Sequence, residues 1–348
     1  MKRTVDFRYV VTRGGADFDE IYPLDDGAPT LRMDDSADIK TSLVGEFLWN
    51  DRVEWLSDRI RAEMIIDGST HPLGVYLPAT VEPSDDGTRE YVQVEAYDQC
   101  WLVQTCRVED RLSIAAGTNY VNAVMELLNA AGIINISATP TDQLLPEIRE
   151  DWQQGDSYLE IINQLLSEIN YKPLWFNASG VAMLEPESIP SIDNVRHRLL
   201  KHDVKSMILP GIVRRSDIFN KPNVFVCICD NPDKSSVMVA KSENHNMDSP
   251  LSIERRGRRI VEIFEVDNIA SQTELERYAE LLKGKSLFLS ETAELQTALL
   301  PGYGVADVVA VSYDDFEGIC IEHAWEMELM VGGAMQHTLE RVVMSYDI

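Results

Sequence analysis

Few residues in this chain combine a type and a spacing that could do chemistry. Cys227 and Cys229 stand two apart in VFVCIC, which on a strand puts both thiols on one face and could offer two ligands to a metal. No histidine pair nearby completes a zinc set, so the spacing reads as core packing. His323 and His337 fall on opposite arms of the last hairpin and could approach each other. A paired or metal role would need carboxylates that the sequence does not place beside them, so both read as half-buried strand residues. Glu291 and Glu294 are the kind of pair a glycosidase uses as acid and base, but among 58 acidic residues such a pair carries no weight without geometry. The chain shows no G-x-S-x-G elbow, no Walker-type loop, no H-E-x-x-H, no EF-hand loop and no dinucleotide fingerprint. These residues point away from an enzyme and single out no catalytic, cofactor-binding or metal residue.

The elements that would have to position any site follow from composition. At 348 residues and 45% hydrophobic content, the chain can bury real cores and is long enough for two or three domains. No run reaches the length of a membrane span, and MKRTVDFRYV passes into a polar segment without a signal-like core, which places its synthesis in a cytoplasm. Five cysteines, an odd number, fit buried thiols in a reducing compartment. The 58 acidic against 31 basic residues give a net charge of -27, which disfavours gripping nucleic acid or an anionic membrane.

Residues 61–97 read as three strands of an antiparallel meander, turning at Asp67-Gly68 and Asp86-Gly87 because Gly and Asp tolerate positive φ. In its third strand Val92, Val94 and Ala96 alternate with Tyr91, Gln93 and Glu95, as one buried face requires. Before it, residues 4–11 read as a strand, 14–27 as a loop, 39–49 as a second strand, and the polar segment from Asp51 as a linker. A first β unit over 1–110 follows.

The pattern then changes. Val121, Val124, Met125 and Leu128 form one helical stripe closed by Gly132, and Ser157 with Glu160 has capping-box spacing ahead of Leu159, Ile162, Leu166 and Ile169. A strand pair turning at Asn177–Gly180 follows, and residues 111–204 read as a small α+β domain. The sequons at Asn135 and Asn177 read as chance. From 205 to 348 strands return: 224–229 and 236–240 around a turn at Asp230–Asp233, one helix at about 271–283 started by Ser271 and Glu274 and ended by Gly284, then ETAELQTALL, a Pro301-Gly302 turn and VADVVAVS. In the last hairpin Ile321, His323, Trp325, Met327, Leu329 and Val331 share one face, Glu322, Glu326 and Glu328 the other, and Gly332-Gly333 turns the chain toward Met335, Leu339 and Val343.

Several of these segments resemble a known family. DRIRAEMIIDGSTHPLGVYLPAT, EAYDQ followed by Gly117 to Tyr120, GDSYLEIINQLLSEINYKPLWFNASG and ETAELQTALLPGYGVADVVAV are similar to stretches of the central hub proteins of phage and prophage tails, the late control D group of contractile tails and related tailocins. Ala306 stands where that family usually has Gly. The resemblance implies an α+β, mainly β chain in which two tail-tube-like β-barrel domains flank the small α+β domain. It implies a homotrimer whose ring joins a sixfold tail tube to a threefold spike or tip, with tail tube or distal tail proteins, a spike protein and a tape measure protein as partners. The location implied is a virion tail assembled in the host bacterial cytoplasm, with no cofactor, no specific nucleic-acid binding and no membrane insertion.

The ring would give the charge a use. The strand face carrying Glu322, Glu326 and Glu328 is expected to line a channel where negative walls keep passing DNA from sticking, or else to be a plain solvated face. The alternative class is a tail-associated cell-wall hydrolase or carbohydrate-binding tip protein. Against it, Trp101, Trp175 and Trp325 lie in apolar patterns that favour core over an exposed sugar platform.

Overall fold

The computed structural model describes residues 3–24, 27–216, 221–230, 237–266, 268–286 and 291–343. Its first seven strands are Val5–Arg13 (β1), Ala16–Ile21 (β2), Thr30–Asp34 (β3), Thr41–Leu48 (β4), Arg59–Ile66 (β5), Ser69–Asp85 (β6) and Glu90–Tyr97 (β7). The meander over β5, β6 and β7 forms as expected. Asp67 and Gly68 take φ of 49° and 84°, the two positive values that match a tight turn to strand twist. The stretch 14–27 is more than a loop, since Gly14-Gly15 turns the chain back and β2 pairs with β1. The strand β6 serves two partners in succession. Its first half pairs with β5 and its second with β7, and the register slips just after Pro78, which has no ladder N–H to give.

A helical lobe follows, from Cys100–Thr105 (α1), Tyr120–Ala130 (α2), Ile136–Ala138 (β8), Tyr158–Glu168 (α3), Trp175–Phe176 (β9) and Ala182–Leu184 (β10). Both arms of the Ser157–Glu160 capping box are made, at 3.1 Å each. Asn119 caps α2, and Gly132 just beyond it has φ 82°. Leu159, Ile162, Leu165 and Leu166 of α3 pack with Val121, Val124 and Leu128 of α2 in a core of their own. Within it Arg149 donates to the buried Glu168 at 2.7 Å, and the Tyr120 hydroxyl donates to the same carboxylate at 2.8 Å. A buried acid is thereby fully partnered.

The rest comprises His197–Leu200 (β11), Ile208–Ser216 (β12), Val224–Cys229 (β13), Met238–Glu243 (β14), Ile253–Arg256 (α4), Val261–Glu265 (β15), Gln272–Ser286 (α5), Glu291–Ala298 (β16), Val308–Tyr313 (β17), Phe316–Glu328 (β18) and Ala334–Val343 (β19). Residues 231–233 of the turn expected at Asp230–Asp233 and the first residue of the strand expected at 236–240 lie outside the described residues, as do Asp25, Asp26 and the Val343 side chain. Strands β14, β13 and β15 form a small sheet with α5 on one face. The expected stop at Gly284 is corrected: α5 runs past it. A Cβ at Gly284 would fall 2.4 Å from the Ile189 Cδ1, so the glycine permits close approach of the 189 loop.

The two β units are sewn into one sheet, in the order β12-β16-β19-β18-β3-β4-β7-β6-β5-β1-β2, with β17 on β18 and β11 on β17. The seam is the antiparallel ladder of β3 with the second half of β18, pairing Met33 with Trp325 and Leu31 with Met327. One hydrophobic core runs beneath it, from Tyr9 and Phe47 through Met33 and Trp325 to Leu339 and Phe316. Among the described residues no pairing joins the two ends of this order.

Candidate functional site

The strand β18 carries the seam because it forks. Residues 316–321 pair with β17 and residues 324–328 with β3, while β19 pairs with residues 319–327 on the other side. The register with β19 breaks between Glu322 and Ala324. A bulge of this kind adds one residue and exchanges the faces beyond it. This corrects the expected alternation. Glu322 lies in the core, on the same side as Trp325 and Met327, and is fully buried. Only Glu326 and Glu328 face solvent, and Val331, expected on the buried face, is exposed.

The two histidines are therefore not brought together. His323, at the bulge, places its Nδ1 2.6 Å from Asp35 Oδ2 and its Nε2 2.7 Å from Glu340 Oε2. The Asp35 amide donates to the His323 carbonyl at 2.9 Å, and the Lys40 ammonium holds the 35–40 loop by donating to the Asp35 and Ala37 carbonyls. Burial by itself lowers the His323 pKa, but the hydrogen bonds and charges of the two carboxylates outweigh it and push it up to about 10. His323 is thus an imidazolium clamp between both β units.

His337 points into the core. Its Nδ1 lies 3.0 Å from Glu322 Oε2 and its Nε2 2.9 Å from Thr297 Oγ1, with both His337 and Glu322 at 0% exposure. A threonine, histidine and glutamate in series suggest a nucleophile, its base and an orienting acid. The hydrogen bonds argue otherwise. The Thr297 hydroxyl donates to the Ala298 carbonyl at 2.7 Å, so it accepts a proton from Nε2 instead of yielding one, and no substrate reaches it. One proton remains for the Nδ1–Glu322 contact. Burial raises the Glu322 pKa against the opposing pull of His337, which suits an acid sharing that proton. Tyr303 lies 5.2 Å from the His337 ring and stacks on His197 at 3.8 Å. The Asp307 carboxylate receives the Gly304 amide at 2.7 Å and Arg196 at 2.9 Å, and lies 3.1 Å from His197 Nε2. Burial alone raises its pKa, but these partners bring it below the usual range.

Nothing in the sequence marked Asp35, 288 residues from His323. Asp307 did leave a signal, as the one acid inside the apolar run VADVVAV. A cavity of about 350 Å³ opens beside His323 where the lobes meet, lined among others by Lys172 and Glu187 of the helical lobe, Lys285 of α5 and Phe225 of the small sheet.

A broad surface is formed by the solvent face of the joined sheet. Reading the registers from β16 to β6, its rows include Gln296, Gln336, Glu326, Arg32 and Ser42, and then Glu328, Thr30, Val44, Glu95 and Thr80. Glu46, Glu82, Glu95, Glu294, Glu326 and Glu328 lie on it. Arg32 and Arg215 on the same face are held by Glu326 at 2.7 Å and Glu294 at 3.4 Å. It is a broad acidic surface made by both β units together.

Glu291 and Glu294 do not form a pair. Glu291 turns to the core side between Arg214 and Arg341, whereas Glu294 lies on the solvent face. Cys227 and Cys229 are both buried, packed with Ala240, Leu275 and Ala279 under α5. Trp175 and Trp325 are core residues, and Trp101 is half-buried against Tyr97. Among the described residues no helix is long and apolar enough to cross a membrane.

No protein-family model matches the chain, and no curated protein matches it in sequence. Its structure is similar to a tail protein from Neisseria meningitidis MC58, with a TM-score of 0.61 at 12% identity over 97% of this chain and 97% of that one. It is similar to the 43 kDa tail protein of prophage MuSo2 from Shewanella oneidensis, with a TM-score of 0.64 at 13% identity over 97% and 98%. The prophage tail protein gp18 from Listeria monocytogenes EGD-e gives 0.60 at 12% over 97% and 95%. The chain shares its fold, end to end, with prophage tail proteins.

Proposed function

We propose that this chain is a structural subunit of a phage or phage-like tail, the central hub of its baseplate or tail tip. In this reading three copies form a ring that joins a sixfold tail tube to a threefold spike or tip. Its neighbours are tail tube or distal tail proteins, a spike protein and a tape measure protein. The observation that carries it is the end-to-end likeness of fold, since a shared module alone would cover only part of each chain. Units 1–110 and 205–348 are read as the tube-like repeats, with 111–204 as the lobe between them.

The acidic face supports passage of DNA along the ring. Carboxylates facing a phosphate backbone give no counterion-release gain and repel at close range, and the neutral Gln, Thr and Ser between them offer only weak contacts. The lining consists of Glu46, Glu82, Glu95, Glu294, Glu326 and Glu328, without Glu322. A structural role also fits the buried His337, which no substrate reaches. The test is deletion of the coding gene in the producing host, followed by electron microscopy of purified particles and immunodetection of the protein in tail fractions. Tails that are absent or stop short, restored by the gene, are expected. Complete and infective particles without the protein would overturn the reading, and hydrolysis of purified peptidoglycan by the chain would favour the enzyme alternative.

A further inference from the structure

We propose that the open face of the small sheet is a contact between copies of this chain, seated on the 142–150 loop of the neighbouring copy's helical lobe. The inference deepens the tail-hub reading and rests on it only for the closure of such contacts into a ring. In the sheet β14-β13-β15, Ala240, Cys227 and Phe264 turn toward α5. The alternate residues turn away. Val226 lies between Lys241 and Ile263, and Ile228 between Val239 and Glu265, so the other face is aliphatic through its centre. Val237, Val239, Val261 and Ile263 are 52–59% exposed there, and among the described residues no layer covers them. Contiguous exposed aliphatic surface of this kind marks an interaction site.

Charge selects the occupant. Two copies at -27 each repel, so a contact between them gains from a basic patch on one side. A basic stretch borders this face: Arg255, Arg256, Arg258 and Arg259 occupy four of five consecutive positions just before β15. Glu243 holds Arg259 and Lys241, and the other three arginines add guanidinium charge on this side. The complement is found on the helical lobe. Leu144 and Ile148 are 52% and 54% exposed in a loop that also carries Asp142 and Glu147. Within one chain the two surfaces cannot meet. Gln143 of that loop donates to Glu274 of α5 at 3.1 Å, and α5 covers the opposite side of the small sheet. They can join only between copies, and repeated head to tail such a contact closes a ring where its rotation allows.

The test is light scattering of the full-length chain over a concentration series, for wild type, Ile263→Glu, Leu144→Glu and the double variant, with melting curves as a folding control. Both side chains are exposed, so unchanged melting of the isolated subunit is expected. Wild type should show a mass that is a multiple of 39.3 kDa. Each single variant should weaken association at least tenfold, and the double should lose less than the two losses combined, because both residues serve one contact. An oligomer untouched by Ile263→Glu overturns the proposal and leaves the tail reading standing. A response to Ile263→Glu but not to Leu144→Glu overturns the assigned counter-surface. Wild type that stays at one subunit mass at every concentration overturns the self-contact, while its presence in tail fractions decides the tail reading separately.

Discussion

Two histidines fourteen residues apart, on neighbouring strands, show how burial decides what the same side chain does. His337 is sealed in the core with Glu322 and Thr297, where no water competes for its proton. His323 keeps about a third of its side chain exposed and binds Asp35 and Glu340 across the seam. In the first, desolvation dominates and the partners exist to satisfy polar groups that the core cannot otherwise tolerate. In the second, two anions hold a cation in place, and the gain is a tie between parts of the chain far apart in sequence. Burial makes the inner pair unforgiving and exposure makes the outer clamp adjustable.

The inner pair should give the largest effect. His337→Leu leaves a buried carboxylate without its partner, which destabilises by about 3–5 kcal/mol in urea unfolding. Replacing both, Glu322→Leu with His337→Leu, should recover most of that loss, because no polar group then remains to be desolvated. Equal losses in the single and double variants would show that packing around His337, not its charge partner, sets the cost.

The outer clamp should respond less, and differently with pH. His323→Gln is expected to cost about 1–2 kcal/mol near pH 6, reduced from the full ion-pair value by its exposure. Its folded pKa of about 10 lies above the unfolded value near 6.5, so its contribution is complete below pH 6.5 and is lost as pH rises through 10. Glu322 is also raised by folding, so Glu322→Gln should likewise change the pH dependence, but its window opens lower, from the ordinary 4.5 upward. Wild type and His323→Gln should thus converge in stability by pH 10. A difference that is flat from pH 6 to 10 would remove the imidazolium clamp.

This contrast explains what was legible in the sequence. The turns at Asp67-Gly68 and Gly332-Gly333, the Ser157 capping box and the alternation in β7 are local, and a local pattern fixes a local structure. The seam is not local. Strand β3 is only five residues long, and its partner lies about 290 positions away, so neither period nor turn announced it. The bulge at Glu322 was hidden for a related reason. Strict alternation is what period-two reading assumes, and one inserted residue moved a glutamate from an expected channel wall into the core. The acidic face itself was half legible. Glu326 and Glu328 were placed on it from sequence, but its continuation through Glu46, Glu82 and Glu95 depends on the seam.

The smallest effect lies in the backbone that links the two sites. Ala306 has φ 51°, a left-handed conformation, at the position where the resembling family usually has Gly. It lines the cavity beside His323, and the next residue, Asp307, turns inward to His197 and the Gly304 amide. A residue with a Cβ costs about 1–2 kcal/mol in that conformation, whereas glycine adds about 0.4–1 kcal/mol of chain entropy to be lost on folding. Ala306→Gly should therefore stabilise by about 0.8 kcal/mol, the difference between the two central values. If the turn only connects the sites, the gain should be the same in wild type, His323→Gln and His337→Leu backgrounds, since independent effects add. If it appears in one background and not the other, the turn is coupled to that histidine, and the two sites are then not separate in the way their burial suggests.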